Sequence, residues 1–256
     1  MEYAIYTDKL TKRFGKFTAV NNLSLQIPQG CIYGLLGSNG SGKSTSVRML
    51  CGVLSATSGT IKILGKDIAD KKSMEELKLS IGYMSQKFSL YHNLTVYENI
   101  KFYASIYGIK KHELAHRIEE ILQLAGVQHI QDKLVSDIPG GWRQRLALGC
   151  AIIHHPKILF LDEATSGVDP KARRHFWQII KSLSQQNITI LVITHFMEEA
   201  ELCDRLGFLH KGRLLIDSTP KDIRQIMPHA NKFTNLNEIF AYLVRQDNKQ
   251  SQESEG

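Results

Sequence analysis

The sequence predicts an α/β protein: a mostly parallel sheet core, an antiparallel β subdomain at the N-terminus and an inserted helical block. Three observations predict it. ILFLDE (158–163) and ITILVITH (188–195) are continuous apolar runs, the pattern of strands buried on both faces of a parallel sheet. RRHFWQIIKSL (173–183) lies between them with helical character, which completes a strand–helix–strand unit. From about Thr95 to Ala125 the pattern turns helical, with charged faces repeating between apolar positions.

The elements follow in chain order. Residues 4–27 alternate as strands do, broken by a turn at Phe14-Gly15-Lys16. CIYGLLG (31–37) is a short apolar run ending in glycine, and SGKSTSVRML (41–50) is helical in character. TSGTIKILGKDI (57–68) reads as turn, strand and turn, and IGYMSQ (81–86) as another short strand. The helical block is expected over roughly 87–155 and ends on the apolar helix LALGCAIIH (146–154). One main domain is expected over 1–225, followed by a helix over 226–246 and a polar, disordered tail over 247–256. In NLNEIFAYLVRQ (235–246), Leu236, Ile239, Phe240, Leu243 and Val244 share one helical face.

The totals exclude several classes. The chain has 256 residues, enough for one large domain or two small ones. No apolar run approaches the ~18–20 residues of a membrane helix, and the acidic start MEYAIYTDKL is no secretory signal. Cys31, Cys51, Cys150 and Cys203 form no C-x-x-C pair, which suits small buried residues in a reducing compartment. The net charge is +7, with lysines and arginines spread along the chain. A solvated surface and closeness to an anionic membrane both fit that balance; no nucleic-acid-reading motif accompanies it, so no nucleic-acid partner is expected.

GSNGSGKS (37–44) carries the strongest chemical signal. It fits G-x-x-x-x-G-K-[ST], after a strand and before a helix. In such a loop Gly37, Ser38, Asn39, Gly40, Ser41 and Gly42 turn successive backbone N–H groups inward around phosphates. Lys43 adds a full positive charge at the β and γ phosphates, Ser44 offers a hydroxyl to Mg²⁺, and Thr45 bonds a phosphate oxygen. At the end of ILFLDE, Asp162 is a candidate Mg²⁺ carboxylate and Glu163 a candidate general base. His195, at the end of ITILVITH, is a candidate γ-phosphate donor that helps orient the attacking water. Gln86 reads equally as a surface glutamine or as a metal ligand that senses nucleotide. No N-K-x-D guanine reader is present, which argues against a GTPase.

Two bare glycines, Gly140 and Gly141, open the basic stretch in DIPGGWRQR (137–145). Taken in order, GSNGSGKST, Gln86, IPGGWRQR, ILFLDE, SGVD (166–169) and His195 resemble the motifs of the nucleotide-binding domain of ABC transporters, over about residues 3–220. The resemblance implies a P-loop NTPase with a RecA-like core, ATP and Mg²⁺ as cofactors, and a head-to-tail dimer enclosing two nucleotides. It implies that the N–H groups of Gly140 and Gly141 meet the γ-phosphate held by the second domain, and that Asp169 lies at the dimer seam. Phe14, in KRFG, falls where the family stacks an aromatic ring on adenine; a core aromatic is the other reading. Pro139 and Trp142 depart from the family, which has serine and glutamine there. The departure removes one or two hydrogen bonds to phosphate, about 1.5–3 kcal/mol each when charge-assisted.

IPGGWRQRLALGCAIIHHP, SGVDP and THFMEEAELCDR are similar to a bacterial exporter branch associated with drug or lipid efflux. That resemblance implies an integral membrane permease as partner and a peripheral place on the cytoplasmic face of the bacterial inner membrane. Phe88, Leu90 and Tyr91 read either as a groove for a permease helix or as local packing. Two alternatives stand beside the exporter subunit. One is a hydrolysis-deficient partner, degenerate at Pro139 and Trp142. The other is a soluble ABC ATPase, which usually has a second nucleotide domain, long coiled coils or zinc motifs; this sequence has one cradle and neither extra.

Overall fold

The computed structural model describes residues 3–86, 90–227 and 235–253. The chain divides into two compact units, 1–69 with 191–256, and 70–190.

In the first unit, β1 (Tyr3–Phe14) and β2 (Phe17–Pro28) form an antiparallel hairpin closed at Gly15-Lys16. β4 (Ser58–Ile63) pairs with the other edge of β1, and β5 (Lys66–Asp67) follows, giving the order β2-β1-β4-β5. The alternation in the sequence is the alternation in burial: Leu23, Leu25 and Ile27 are inside, while Ser24 and Gln26 face out. β3 (Ile32–Leu36) is buried throughout, as its unbroken apolar run requires, and runs parallel to β9 (Arg205–His210). β10 (Arg213–Ser218) returns antiparallel along β9.

β9 and β10 correspond to no run singled out in the sequence. RLGFLH and RLLIDS are short and carry charges, and their pairing is what makes them strands. Arg205 on β9 bonds Asp217 on β10 at 2.9 Å. α1 (Lys43–Leu50), α7 (Met197–Ala200), α8 (Pro220–Ile226) and α9 (Leu236–Glu253) complete this unit. On α9, Leu236 and Ile239 are buried, and Phe240 meets Phe208 edge-on at 5.3 Å.

α9 also corrects an expectation. The stretch 247–256, expected to be disordered, is helical through Glu253. Its polar residues include the good helix formers Lys, Gln and Glu. Lys211 Nζ donates to Asn248 Oδ1 at 2.7 Å, and a ring nitrogen of His210 lies 3.4 Å from the same oxygen. These contacts tie the helix to the β9–β10 turn.

The second unit holds α2 (Lys71–Lys78), β6 (Ile81–Met84), α3 (Val96–Ile106), α4 (Lys111–Ala125), α5 (Gly140–Ile152), β7 (Ile158–Asp162) and α6 (Pro170–Gln185). β8 (Thr189–Thr194) leads from this unit into the first. β6 and β7 are parallel neighbours. α3 starts on a full capping box, with Thr95 accepting from the Glu98 N–H and Glu98 accepting from the Thr95 N–H. α5 begins at Gly140, six residues before the apolar stretch that announces it in the sequence.

The helical block is held by close approaches and one buried cation. A side chain at Gly149 would sit 2.6 Å from Ile121, so the glycine lets α4 press against α5. Arg117 is buried, and its Nε donates to the Ile153 carbonyl at 2.8 Å. That guanidinium satisfies carbonyls at the C-terminal end of α5, where a positive charge is favoured. The four cysteines are free thiols; Cys31, Cys150 and Cys203 are buried.

His154 stacks on Tyr107 with ring centroids 3.6 Å apart, and a ring nitrogen meets the Ile81 carbonyl at 3.0 Å. Burial lowers its pKa from 6.5 to about 4. The unfolded chain therefore binds a proton here at a higher pH than the folded chain does. This contribution to stability is present above pH 6.5 and is lost as pH falls towards 4. Urea midpoints measured across that window should fall with acid, and His154→Gln should flatten the fall.

Candidate functional site

The expected site residues fall in both units. The phosphate loop, Phe14 and His195 are in the first; Gln86, Gly140, Gly141, Asp162, Glu163 and Asp169 are in the second.

The loop joins β3 to α1. Ser38, Asn39 and Gly40 are exposed at its tip, and Gly37 and Ser41 are buried at its base. Gly42 has φ 104, and a Cβ on it would lie 2.4 Å from the Ala19 carbonyl oxygen. A Cβ on Gly37 would lie 2.3 Å from the Leu209 carbonyl oxygen. β2 and β9 thus press on the loop from behind, and only glycine fits at those two points. The Gly212 N–H also donates to the Ser41 carbonyl at 2.9 Å.

Lys43 is 5% exposed, an unusual depth for a lysine. Its Nζ donates to the carbonyls of Gly37 at 2.8 Å and Ser38 at 3.0 Å. The cation is thereby held inside the curve of its own loop. Ser44 and Thr45 are half-buried in the first turn of α1, where the helix dipole favours an anion. These features fit a polyphosphate.

Phe14 ends β1 at the hairpin tip and is 50% exposed, so the core reading of this ring is set aside. Lys12 Nζ lies 5.2 Å from its centroid. His195 is exposed one residue beyond β8, its ring 4.2 Å from that of Phe196.

In the second unit, β7 ends at Asp162, which is 5% exposed. Tyr83 Oη donates to Asp162 Oδ2 at 3.3 Å, a partner that sequence reasoning did not identify. Tyr83 sits on the neighbouring parallel strand, so only the β6–β7 register reveals the pair: Tyr83 faces Phe160. Glu163 follows with φ 49, a left-handed conformation that costs a non-glycine residue on the order of 1 kcal/mol or more. Gln86 lies two residues past the end of β6, and its Nε2 donates to Glu163 Oε2 at 2.9 Å. The sequence singled out these two residues separately; the fold brings them into direct contact.

The glycine pair opens α5, and its two members differ. Around Gly140 a Cβ would meet nothing nearer than an Arg143 nitrogen at 4.0 Å. At Gly141 it would lie 2.8 Å from the Ala172 methyl. The absence of a side chain at Gly141 therefore has a reason within the chain, the close approach of α6. Pro139 caps the helix through its carbonyl, which accepts from Trp142 at 3.0 Å and Arg143 at 3.1 Å. Among the described residues, the N–H groups of Gly140 and Gly141 have no hydrogen-bond partner. The Trp142 indole packs edge-on against His129 at 5.1 Å.

Asp169 caps α6, accepting from the N–H groups of Lys171 and Ala172, each at 3.0 Å. The Ala172 bond and then the Lys171 bond hold its carboxyl below the usual range. Leu90 is buried, while Tyr91 is exposed and meets Phe102 edge-on at 4.6 Å. Phe88 lies outside the described residues.

The chain matches the family described as ABC transporter over residues 20–166. This chain belongs to the ABC transporter family. It is 44% identical over 223 residues to the probable multidrug ABC transporter ATP-binding protein YbhF of Escherichia coli (strain K12), covering 87% of this chain and 38% of that one. The chain thus spans well under half the length of that relative. It is 40% identical over 217 residues to the bacitracin transport ATP-binding protein BcrA of Bacillus licheniformis, covering 84% of this chain and 69% of the other. A solved dimeric structure of the ATP-binding cassette MJ0796, in a post-hydrolysis state bound to ADP and Pi, is similar with a TM-score of 0.76. That match is 25% identical and covers 84% of this chain and 98% of the other. The fold of this ABC family member is the α/β fold of P-loop NTPases, with an antiparallel sheet and helical elements as the sequence predicts.

Two measurements test the site. Gly141→Ala should destabilise the lone chain by about 1–3 kcal/mol through the Ala172 clash, whereas Gly140→Ala should leave chemical denaturation unchanged. Lys43→Ala should weaken nucleotide binding in calorimetry; unchanged affinity would remove the loop from that role.

Proposed function

We propose that this chain binds and hydrolyses ATP as the nucleotide subunit of a membrane exporter, with drug or lipid efflux as the work driven. The observation that carries the reading is the loop at 37–45: a buried lysine curled into a glycine turn at the start of a helix. The words "multidrug" and "bacitracin transport" in the names of its relatives support the efflux class. The dimeric neighbour supports a pair of domains around nucleotide.

In this reading Lys43 and the loop N–H groups bind the β and γ phosphates and orient the terminal phosphoryl. Phe14 offers an exposed ring to adenine. Ser44, Gln86 and Asp162 offer oxygen donors, the set that suits Mg²⁺. The ion would supply charge neutralisation on the phosphate oxygens. Glu163 accepts a proton from the attacking water once Gln86 releases its carboxylate, and His195 donates to the γ-phosphate. Gly140 and Gly141 offer their N–H groups to the nucleotide of a second domain, and Asp169 sits at the seam. The domain spans 1–225 and hydrolysis is coupled to a separate permease. No described helix is long and apolar enough to cross a membrane. The chain is proposed to act peripherally at the cytoplasmic face of the inner membrane.

Glu163→Gln tests the reading. With Mg-ATP the variant should retain binding, lose turnover by roughly 10²–10⁴-fold, and run as a dimer in light scattering. Near-normal turnover in the variant, or a strictly monomeric ATP-loaded form beside its permease, would overturn it.

A further inference from the structure

Gln144 is fully buried in α5, four residues after Gly140. Its Nε2 donates to the Ala164 carbonyl at 2.7 Å. Its Oε1 is buried and has no hydrogen-bond partner among the described residues. The orientation of the amide follows from the bond, because only the NH₂ end can face a carbonyl oxygen. A buried acceptor left without a partner is costly, and an apolar side chain of the same shape would avoid that cost. Packing alone therefore favours another residue here. What the amide adds is its donor.

The acceptor is Ala164, the residue next to Glu163. Glu163 stands at φ 49, and the turn after it is closed by the Ser166 N–H bonding the Glu163 carbonyl at 3.0 Å. Nothing in the intrinsic preference of a glutamate holds such a backbone conformation, so surrounding structure has to hold it. Gln144 grips the middle of that turn. A spacing of four residues puts Gln144 and Gly140 on one face of α5, about one turn apart. A shift of the glycine end of α5 is thereby carried by the rigid helix to the peptide beside Glu163.

We propose that Gln144 is a positioning residue: its amide fixes the backbone that aims Glu163, and it links that aim to the place of the Gly140 end of α5. This rests on the ATP-hydrolysing reading above. The consequence is a direct mechanical path, within one unit of one chain, from the surface offered to a second nucleotide domain to the carboxylate that activates water.

The test uses the full chain and Mg-ATP. Gln144→Met keeps the shape and removes the donor. It should leave the denaturation midpoint and the KM for ATP within about twofold, while kcat falls about tenfold or more, the size expected for a lost preorganising contact. Gln144→Glu, isosteric but unable to donate when ionised, should also lower kcat. In the Glu163→Gln background, Gln144→Met should cause no further loss, because the residue it acts through is already gone. A full kcat in Gln144→Met, a KM that rises in step, or losses that simply multiply in the double variant would overturn the proposal. If instead the wild-type chain shows no turnover, or Glu163→Gln retains it, the hydrolytic reading itself fails, and the two failures are told apart by those controls.

Discussion

A backbone that holds an anion by its N–H groups needs one face open and the other face braced. The loop at 37–45 meets that requirement through what lies behind it. The carbonyls of Ala19 on β2 and Leu209 on β9 come so close to Gly42 and Gly37 that a methyl group at either place would collide with oxygen. The glycines are bare towards the protein's own strands. That contact fixes the loop, and with it the N–H groups and Lys43, so the antiparallel sheet and the β9–β10 hairpin both brace the glycine loop from behind. Gly212, in the turn of that hairpin, adds a direct bond to the Ser41 carbonyl.

The second unit uses the same device differently. Gly141 is bare because α6 approaches, through the Ala172 methyl; Gly140 is bare with open space before it. One glycine seats the helix and the other leaves its first N–H uncovered. Pro139 turns the chain and caps through its carbonyl, so a residue without a hydroxyl or N–H still starts the helix. Around Glu163 the strain of a left-handed glutamate is contained by Gln86 at its carboxylate, Ser166 at its carbonyl and Gln144 at the next peptide. One hydrogen bond within the turn and two from separate segments meet on a backbone conformation that local preference alone would not choose.

Much of this was legible because it is local. The apolar runs at 158–163 and 188–195 have the composition of buried parallel strands, and they are buried strands. GSNGSGKS carries its geometry in its spacing, since glycine, lysine and serine at those offsets define one turn into one helix. β9 and β10 were not legible, because their strand character comes from pairing with each other and with β3. The tail failed for a similar reason. DNKQSQE is polar enough to be disordered, and it stays helical through contacts with Lys211 and His210, far away in sequence.

By itself the sequence determined the fold class, the glycine-rich turn from strand to helix at 37–44, the carboxylates at the end of β7 and the order of the family's motifs. These depend on residue type and short spacing, which the chain carries wherever it folds. Only the tertiary structure decided which groups touch: Tyr83 on Asp162, Gln86 on Glu163, Gln144 on Ala164, Ala172 behind Gly141. Each of those pairs joins segments well apart in the chain. Their meeting is set by strand register and by how closely helices pack, quantities that no single stretch of residues encodes.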